Sequence, residues 1–247
     1  MSVLEIKNLT HKYKNNKVFD KLNISINKGT HITILGGVGS GKTTLVKLIK
    51  QKHKAIKING DYNIIYSNPL TQLVGKTVKE QLMFHMEINN YSKRKITSRI
   101  KKIKTHFDIE PFIDQDPFKL GTSFQQFIVI LSYLVLDNNI LIFDNAFNFL
   151  DDSQKEQLFK YLKTLKSTII CLSSNSFDSL FGDELAIMNK KIIFRGPIKT
   201  VFDSDKVFNQ NGLNMPFMAD LSLKLQYYEI IDRIILDMDE AVDEIWK

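Results

Sequence analysis

A single cysteine, Cys171, stands among the 247 residues of this chain, so neither an internal disulfide nor a cysteine-built metal cluster can form. It lies in the apolar run T-I-I-C-L and reads as a buried structural thiol rather than a reactive one. Arginine is nearly as scarce: of 34 basic residues only Arg94, Arg99, Arg195 and Arg233 are arginines. The net charge of +7 raises the question of nucleic acid, but lysine alongside abundant asparagine and isoleucine is a compositional bias, not a set of guanidinium forks, and no nucleic-acid partner is expected. The same scarcity argues against the arginine-rich lid with which a small-molecule kinase clamps a transferring phosphoryl group. Long apolar runs are missing as well. The longest, Phe127 to Leu136, is interrupted by Ser132 and is too short to span a bilayer, and no signal peptide is visible at Met1 to Lys7, which predicts a cytosolic or peripheral protein. There is no internal repeat and no low-complexity linker, and Leu45 to Lys119 holds no coiled-coil insertion of the kind a DNA-repair or chromosome-organising head would carry.

What is present is a phosphate-binding loop. Gly36 to Thr43 reads G-G-V-G-S-G-K-T and matches G-x-x-x-x-G-K-[ST]. The alternating, β-branched His31 to Leu35 precedes it as a buried strand, and Thr44 to Lys50 follows as an amphipathic helix, so strand, loop and helix come in the order the chemistry needs. Gly36, Gly37, Gly39 and Gly41 let successive N–H groups turn toward one anion, and the helix start adds its positive dipole end. Lys42 is expected to reach the β- and γ-phosphates and the Thr43 hydroxyl to ligate Mg²⁺, with Val38, Ser40 and Thr44 completing the cradle.

With 43% apolar and 25% charged residues, the length suits one α/β core with a small appendage. Strands are predicted at Val3 to Asn8, Leu22 to Ile26, Ile56 to Asn59 and Ile64 to Ser67, then a helical insert over about 78–136. Ile140 to Phe143 returns as a buried strand ending in Asp144. Ser153 to Glu156 reads as a capping box opening a helix to about Leu165. Strands at Thr168 to Leu172, Glu184 to Met188 and Lys191 to Phe194 complete the sheet, with a core domain at 1–205 and a helical appendage at 206–247. The basic run Lys93, Arg94, Lys95, Arg99, Lys101, Lys102 and Lys104 overlays Ile96, Ile100, Ile103 and Phe107 at helical spacing. It reads as the solvated face of an amphipathic helix, contact with anionic lipid headgroups being the weaker alternative.

Two further segments carry a family resemblance over nearly the whole chain. Asn68 to Gly75 (N-P-L-T-Q-L-V-G), with Thr77-Val78, and Gly212 to Leu221 (G-L-N-M-P-F-M-A-D-L) resemble N-P-D-N-Q-x-x-x-x-T-V and G-L-D-x-P-x-x-x-x-L in the ATPase subunits of energy-coupling factor transporters. The resemblance implies a P-loop NTPase fold of the ABC ATPase type: a mixed β-sheet core, a helical subdomain and a short C-terminal helical appendage. It also implies ATP and Mg²⁺ as cofactors and a peripheral position on the cytoplasmic face of the cell membrane. The implied partners are a second ABC-type ATPase subunit, here forming a heterodimer with 206–247 as a dimer contact, a transmembrane coupling protein met by Asn68 to Phe84, and a membrane protein that captures a vitamin or metal ion.

By the same resemblance Tyr13 takes the place of the aromatic that stacks on adenine, an ordinary strand-edge tyrosine being the rival reading. Asp144 is the Mg²⁺-proximal carboxylate, and Asp151 belongs to the dimer loop. The remaining positions depart from the family. Asn145 stands where a glutamate base polarises water, Ser174 where a switch histidine meets the γ-phosphate, and Ser67 where a glutamine follows the strand. The signature L-S-G-G-Q aligns with Leu120, Gly121, Thr122, Ser123 and Phe124, so side chains at 122 and 123 should crowd a partner's nucleotide. Asn145 and Ser174 weaken the site built on this chain's own loop; Gly121 to Phe124 weaken the partner's. A transport ATPase with a slow or inactive site is the first expectation, and a non-hydrolysing ATP-binding scaffold the second.

Overall fold

In the computed structural model, which describes residues 1–14, 16–202 and 205–246, the chain divides into two units, Met1–Asn59 with Ile170–Lys247 and Gly60–Ile169.

In the first unit, β1 (Ser2–Tyr13) pairs antiparallel with β2 (Asn16–Asn27) and with β4 (Ile56–Ile58). Leu4, Ile6 and Leu9 pair with Ile26, Ile24 and Leu22, and all six are buried; the period-two pattern of a half-buried strand holds along β2, and on β1 a register shift between Ile6 and Leu9 lengthens one step to three. Both strands run well past their predicted ends. Pairing continues through His11↔Phe19, Lys12↔Lys17 and Tyr13↔Asn16, where polar residues and register shifts erase the alternation on which the sequence expectation rests. The buried β3 (His31–Leu35) lies parallel to β8 (Glu184–Asn189), and β8 is antiparallel to β9 (Lys191–Pro197). Between them in sequence, α1 (Lys42–Lys50) begins two residues before the predicted helix start.

The C-terminal segment of this unit forms α6 (Ile198–Phe202), α7 (Asp205–Gln210), α8 (Phe217–Tyr227) and α9 (Met238–Ile245). It shares a core with the strands: Phe202, Phe208, Leu213, Ala219 and Ile234 cluster with Leu35, Leu185 and Ile187. Ser222 Oγ donates to Ile235 O at 2.7 Å and accepts from Ile235 N at 3.1 Å, which fastens α8 to the segment before α9.

In the second unit β5 (Tyr62–Tyr66) is parallel to β6 (Ile140–Asp144), in register from Tyr62↔Ile140 to Tyr66↔Asp144. The predicted helical insert resolves into α2 (Val78–Ile88), α3 (Lys93–His106) and α4 (Thr122–Leu134). Thr77 and Ser92 cap α2 and α3 by accepting from Glu80 N and Lys95 N. Phe127 to Leu131 of α4 are all buried, as expected of a helical stretch whose consecutive residues are apolar on every side. The basic run on α3 is less free than a solvated face implies, since Lys95 and Arg99 both bind Asp137 and Lys104 binds Glu110.

The capping box of α5 (Asp152–Lys163) corrects the sequence expectation. Asp151 accepts from Gln154 N at 2.8 Å while Asp151 N donates to Gln154 Oε1 at 3.3 Å, two residues before the Ser153–Glu156 pair. Both pairs satisfy the four-residue pattern, and the earlier one is selected because the chain turns helical at Asp152. The last strand, β7 (Thr168–Ser173), begins in this unit and ends in the other.

Candidate functional site: a phosphate loop and a carboxylate strand end

The loop from Gly36 to Thr43 connects β3 to α1. Two glycines in it admit no other residue. A Cβ on Gly36 would stand 2.6 Å from Met188 O, and Gly41, at φ +107, would place one 2.5 Å from Phe19 Cε1. Phe19 is fully buried on β2, so the hairpin tipped by Tyr13 forms the floor of the loop. Two backbone bonds hold the loop from either side: Gly36 N donates to Ser173 O at 3.1 Å, and Lys190 N donates to Ser40 O at 3.2 Å. Ser174 therefore follows directly on the residue that anchors the loop's first glycine, and its side chain is exposed.

Lys42 is buried and its ammonium curls inward, donating to Gly36 O, to Gly37 O at 3.1 Å and to Ser40 Oγ at 3.3 Å. Gly41 supplies no side chain to cap α1, and the first turn of the helix contains no acidic residue. Uncapped N–H groups, a positive helix end and an ammonium at one turn are the donor set of an anion cradle, and a triphosphate fits it. Gly41→Ala is expected to cost about 1–3 kcal/mol through its backbone conformation alone. The clash with Phe19 displaces the loop further, and nucleotide titration with a thermal melt should register both losses.

In the second unit β6 ends at Asp144, 5% exposed, and the chain leaves through Asn145. Asn145 has φ +51, a left-handed conformation that asparagine adopts more readily than glutamate. Its Nδ2 lies 3.3 Å from Asp144 Oδ1 and donates to it. Burial and the Asp144 carboxylate together raise the Tyr66 phenol above its ordinary pKa, so it stays protonated beside that carboxylate. The Asp144 carboxylate of the second unit is a hard oxygen donor of the kind that Mg²⁺ accepts, and so, in the first unit, is the Thr43 hydroxyl.

Gly121 caps α4, and the exposed Thr122 opens it. Ser123 turns inward, donating from Oγ to Gln154 Oε1 at 2.6 Å with Asp151 Oδ2 at 3.4 Å, and Phe124 packs on Phe112 with ring centroids 4.5 Å apart. Tyr13, 50% exposed, meets His11 edge-on at 4.8 Å. Gln72 is consumed locally, bonded to Tyr66 N and O and to Asn68 O.

Gln126 escaped the sequence reading. Fully buried on α4, it donates from Nε2 to Tyr66 O at 3.0 Å and to Ala146 O at 2.9 Å, tying the ends of β5 and β6 on both sides of Asp144 and Asn145. Its signal is a glutamine at the start of the buried run of α4, because a buried amide is most often hydrogen-bonded.

The profile of the ABC transporter family matches residues 19–148. Over 270 residues, spanning 99% of this chain and 98% of the relative, the sequence is 26% identical to the energy-coupling factor transporter ATP-binding protein EcfA1 of Mesomycoplasma hyopneumoniae. It is 29% identical to the EcfA1 of Fusobacterium nucleatum over 267 residues, spanning 99% of each. The solved structure of cbiO1 from Clostridium perfringens, part of the ABC transporter complex cbiONQ, shares the fold with a TM-score of 0.72 over 90% of this chain and 98% of that one, at 23% identity.

Proposed function

Because the chain belongs to the ABC transporter family, we propose that it is the ATP-binding subunit of an energy-coupling factor importer, coupling nucleotide binding and hydrolysis to uptake of a vitamin or metal ion. The observation that carries the nucleotide assignment is Lys42 folded into a glycine turn at the uncapped start of α1. The relatives' shared name carries the transporter type. Bound MgATP supplies a cleavable phosphoanhydride and the negative charge that such a turn binds.

In this reading Gly36 to Thr44 bind the phosphates, Thr43 and Asp144 ligate Mg²⁺, and Tyr13 offers its exposed face to adenine. Asn145 orients water by its amide but cannot take a proton from it, a loss of about 10²- to 10⁴-fold where a general base is normal. Ser174 is too short for the reach of an imidazole and lacks its charge. This site therefore turns over slowly. The chain pairs with a second ATPase subunit, whose site is completed by the altered Gly121 to Phe124 segment, and the pair sits on the cytoplasmic face of the membrane against a coupling protein, which meets Asn68 to Phe84. A separate membrane protein captures the substrate.

The test is the nucleotide retained by the purified complex after incubation with MgATP. ADP with continuing phosphate release is expected. Retained ATP at one per copy of this chain would make it a non-hydrolysing subunit, and no nucleotide at all would overturn the proposal.

A further inference from the structure

Three rings stand in a row in the first unit. Tyr13, at the end of β1, meets His11 with ring centroids 4.8 Å apart and planes at 87°, and His11 in turn meets His53 at 6.4 Å and 87°. His53 belongs to the segment between α1 and β4 and is held there twice: its N–H donates to Leu48 O at 3.0 Å, and its Nδ1 accepts from Ala55 N at 3.2 Å. Across the ladder His11 pairs with Phe19, the ring on which a Cβ at Gly41 would fall. Gly41 is the N-cap of α1. One imidazole therefore connects the half-exposed tyrosine with the residue that floors the start of α1 and with the turn that follows its end.

No hydrogen bond explains a histidine at this position. His11 Nε2 is buried and has no hydrogen-bond partner among the described residues, although a buried polar atom is most often bonded. The contribution of the imidazole is its ring. Edge-on aromatic pairs prefer one relative orientation, so a tyrosine met in this way gives up rotamers that a lone side chain near a hairpin tip would keep.

We infer that His11 is a positioning residue for the nucleoside end of the ligand: it holds Tyr13 in one orientation as the platform for the base and braces that platform against both ends of the helix that receives the phosphates. The inference rests on Tyr13 being the residue on which the base stacks. It adds that the platform is set before the ligand arrives, so that binding is spared the cost of ordering a side chain.

The test is calorimetric titration of the full-length chain with MgATP and with magnesium tripolyphosphate, which carries the phosphates and no base. His11→Leu keeps the bulk beside Phe19 and removes the ring. It should weaken MgATP by about 3- to 10-fold, the cost of ordering one side chain on binding, and leave tripolyphosphate within about twofold. His11→Phe should restore MgATP to within about twofold of the parent chain, because the pair needs a ring and Nε2 has no bond to lose. In a Tyr13→Ala background His11→Leu should cost less than about twofold, since the two residues act as one unit. A thermal melt of each variant checks that it is folded. Unchanged MgATP affinity in His11→Leu would overturn the inference. So would equal weakening of both ligands, which would make His11 a support of the phosphate loop alone, or a His11→Phe variant as weak as His11→Leu, which would mean a polar contact to the base. Tyr13→Ala binding MgATP like the parent chain removes this inference and leaves the phosphate loop standing, whereas a parent chain that binds neither ligand removes the importer reading as well.

Discussion

Lys42→Ala is expected to lower MgATP affinity by about 10²- to 10³-fold and to abolish transport by the assembled complex. The estimate follows from two charge-assisted hydrogen bonds to phosphate, each contributing about 1.5–3 kcal/mol, less the bonds that Lys42 gives up in the loop. Those bonds, to Gly36 O, Gly37 O and Ser40 Oγ, are local, and their loss leaves carbonyls that water reaches at Gly37. Fold stability should change little by comparison. Isothermal titration with MgATP, beside a thermal melt, distinguishes a lost ligand from a lost fold. Unchanged uptake by the variant complex would show that this loop takes no part in the transport cycle.

Asn145→Glu is expected to raise the ATPase rate of the complex at least about tenfold. A general base contributes about 10²- to 10⁴-fold, and the full gain is withheld because Ser174 and the altered Gly121 to Phe124 segment remain. The structure adds an opposing term. Residue 145 sits at φ +51, where a non-glycine residue without asparagine's local hydrogen bonding loses about 1–2 kcal/mol, so the variant should melt at a lower temperature even as it turns over faster. Steady-state phosphate release and a melting curve measured on one preparation test both halves. No gain in rate would place the defect in Ser174 and the signature segment as well as in the missing carboxylate.

The loop was legible in the sequence because everything that defines it is local: a buried strand, eight residues of fixed spacing, and a helix. The strand bearing Asp144 was legible for the same reason, four apolar residues closed by a carboxylate. The bonds that hold the loop were not. Gly36 N to Ser173 O and Lys190 N to Ser40 O join residues far apart in sequence through their backbones, and a backbone group carries no side-chain signature. Phe19 beneath Gly41 was hidden in the same way, as one more apolar residue of a strand. The outer halves of β1 and β2 were lost where T-H-K-Y and N-K-V-F-D break the alternation. At Ser123 the sequence supported crowding of an approaching nucleotide, but the hydroxyl has turned to Gln154, leaving Thr122 as the exposed side chain at that helix start.

That turn of Ser123 couples the start of α4 to the start of α5. Its hydroxyl is bonded to the glutamine that closes the capping box of α5, with the capping Asp151 close by. A glycine at 123 would leave the start of α5 one hydrogen bond short. Substitution at 123 is therefore not independent of residues 151 and 154: a change at one of the three alters what the same change costs at the others.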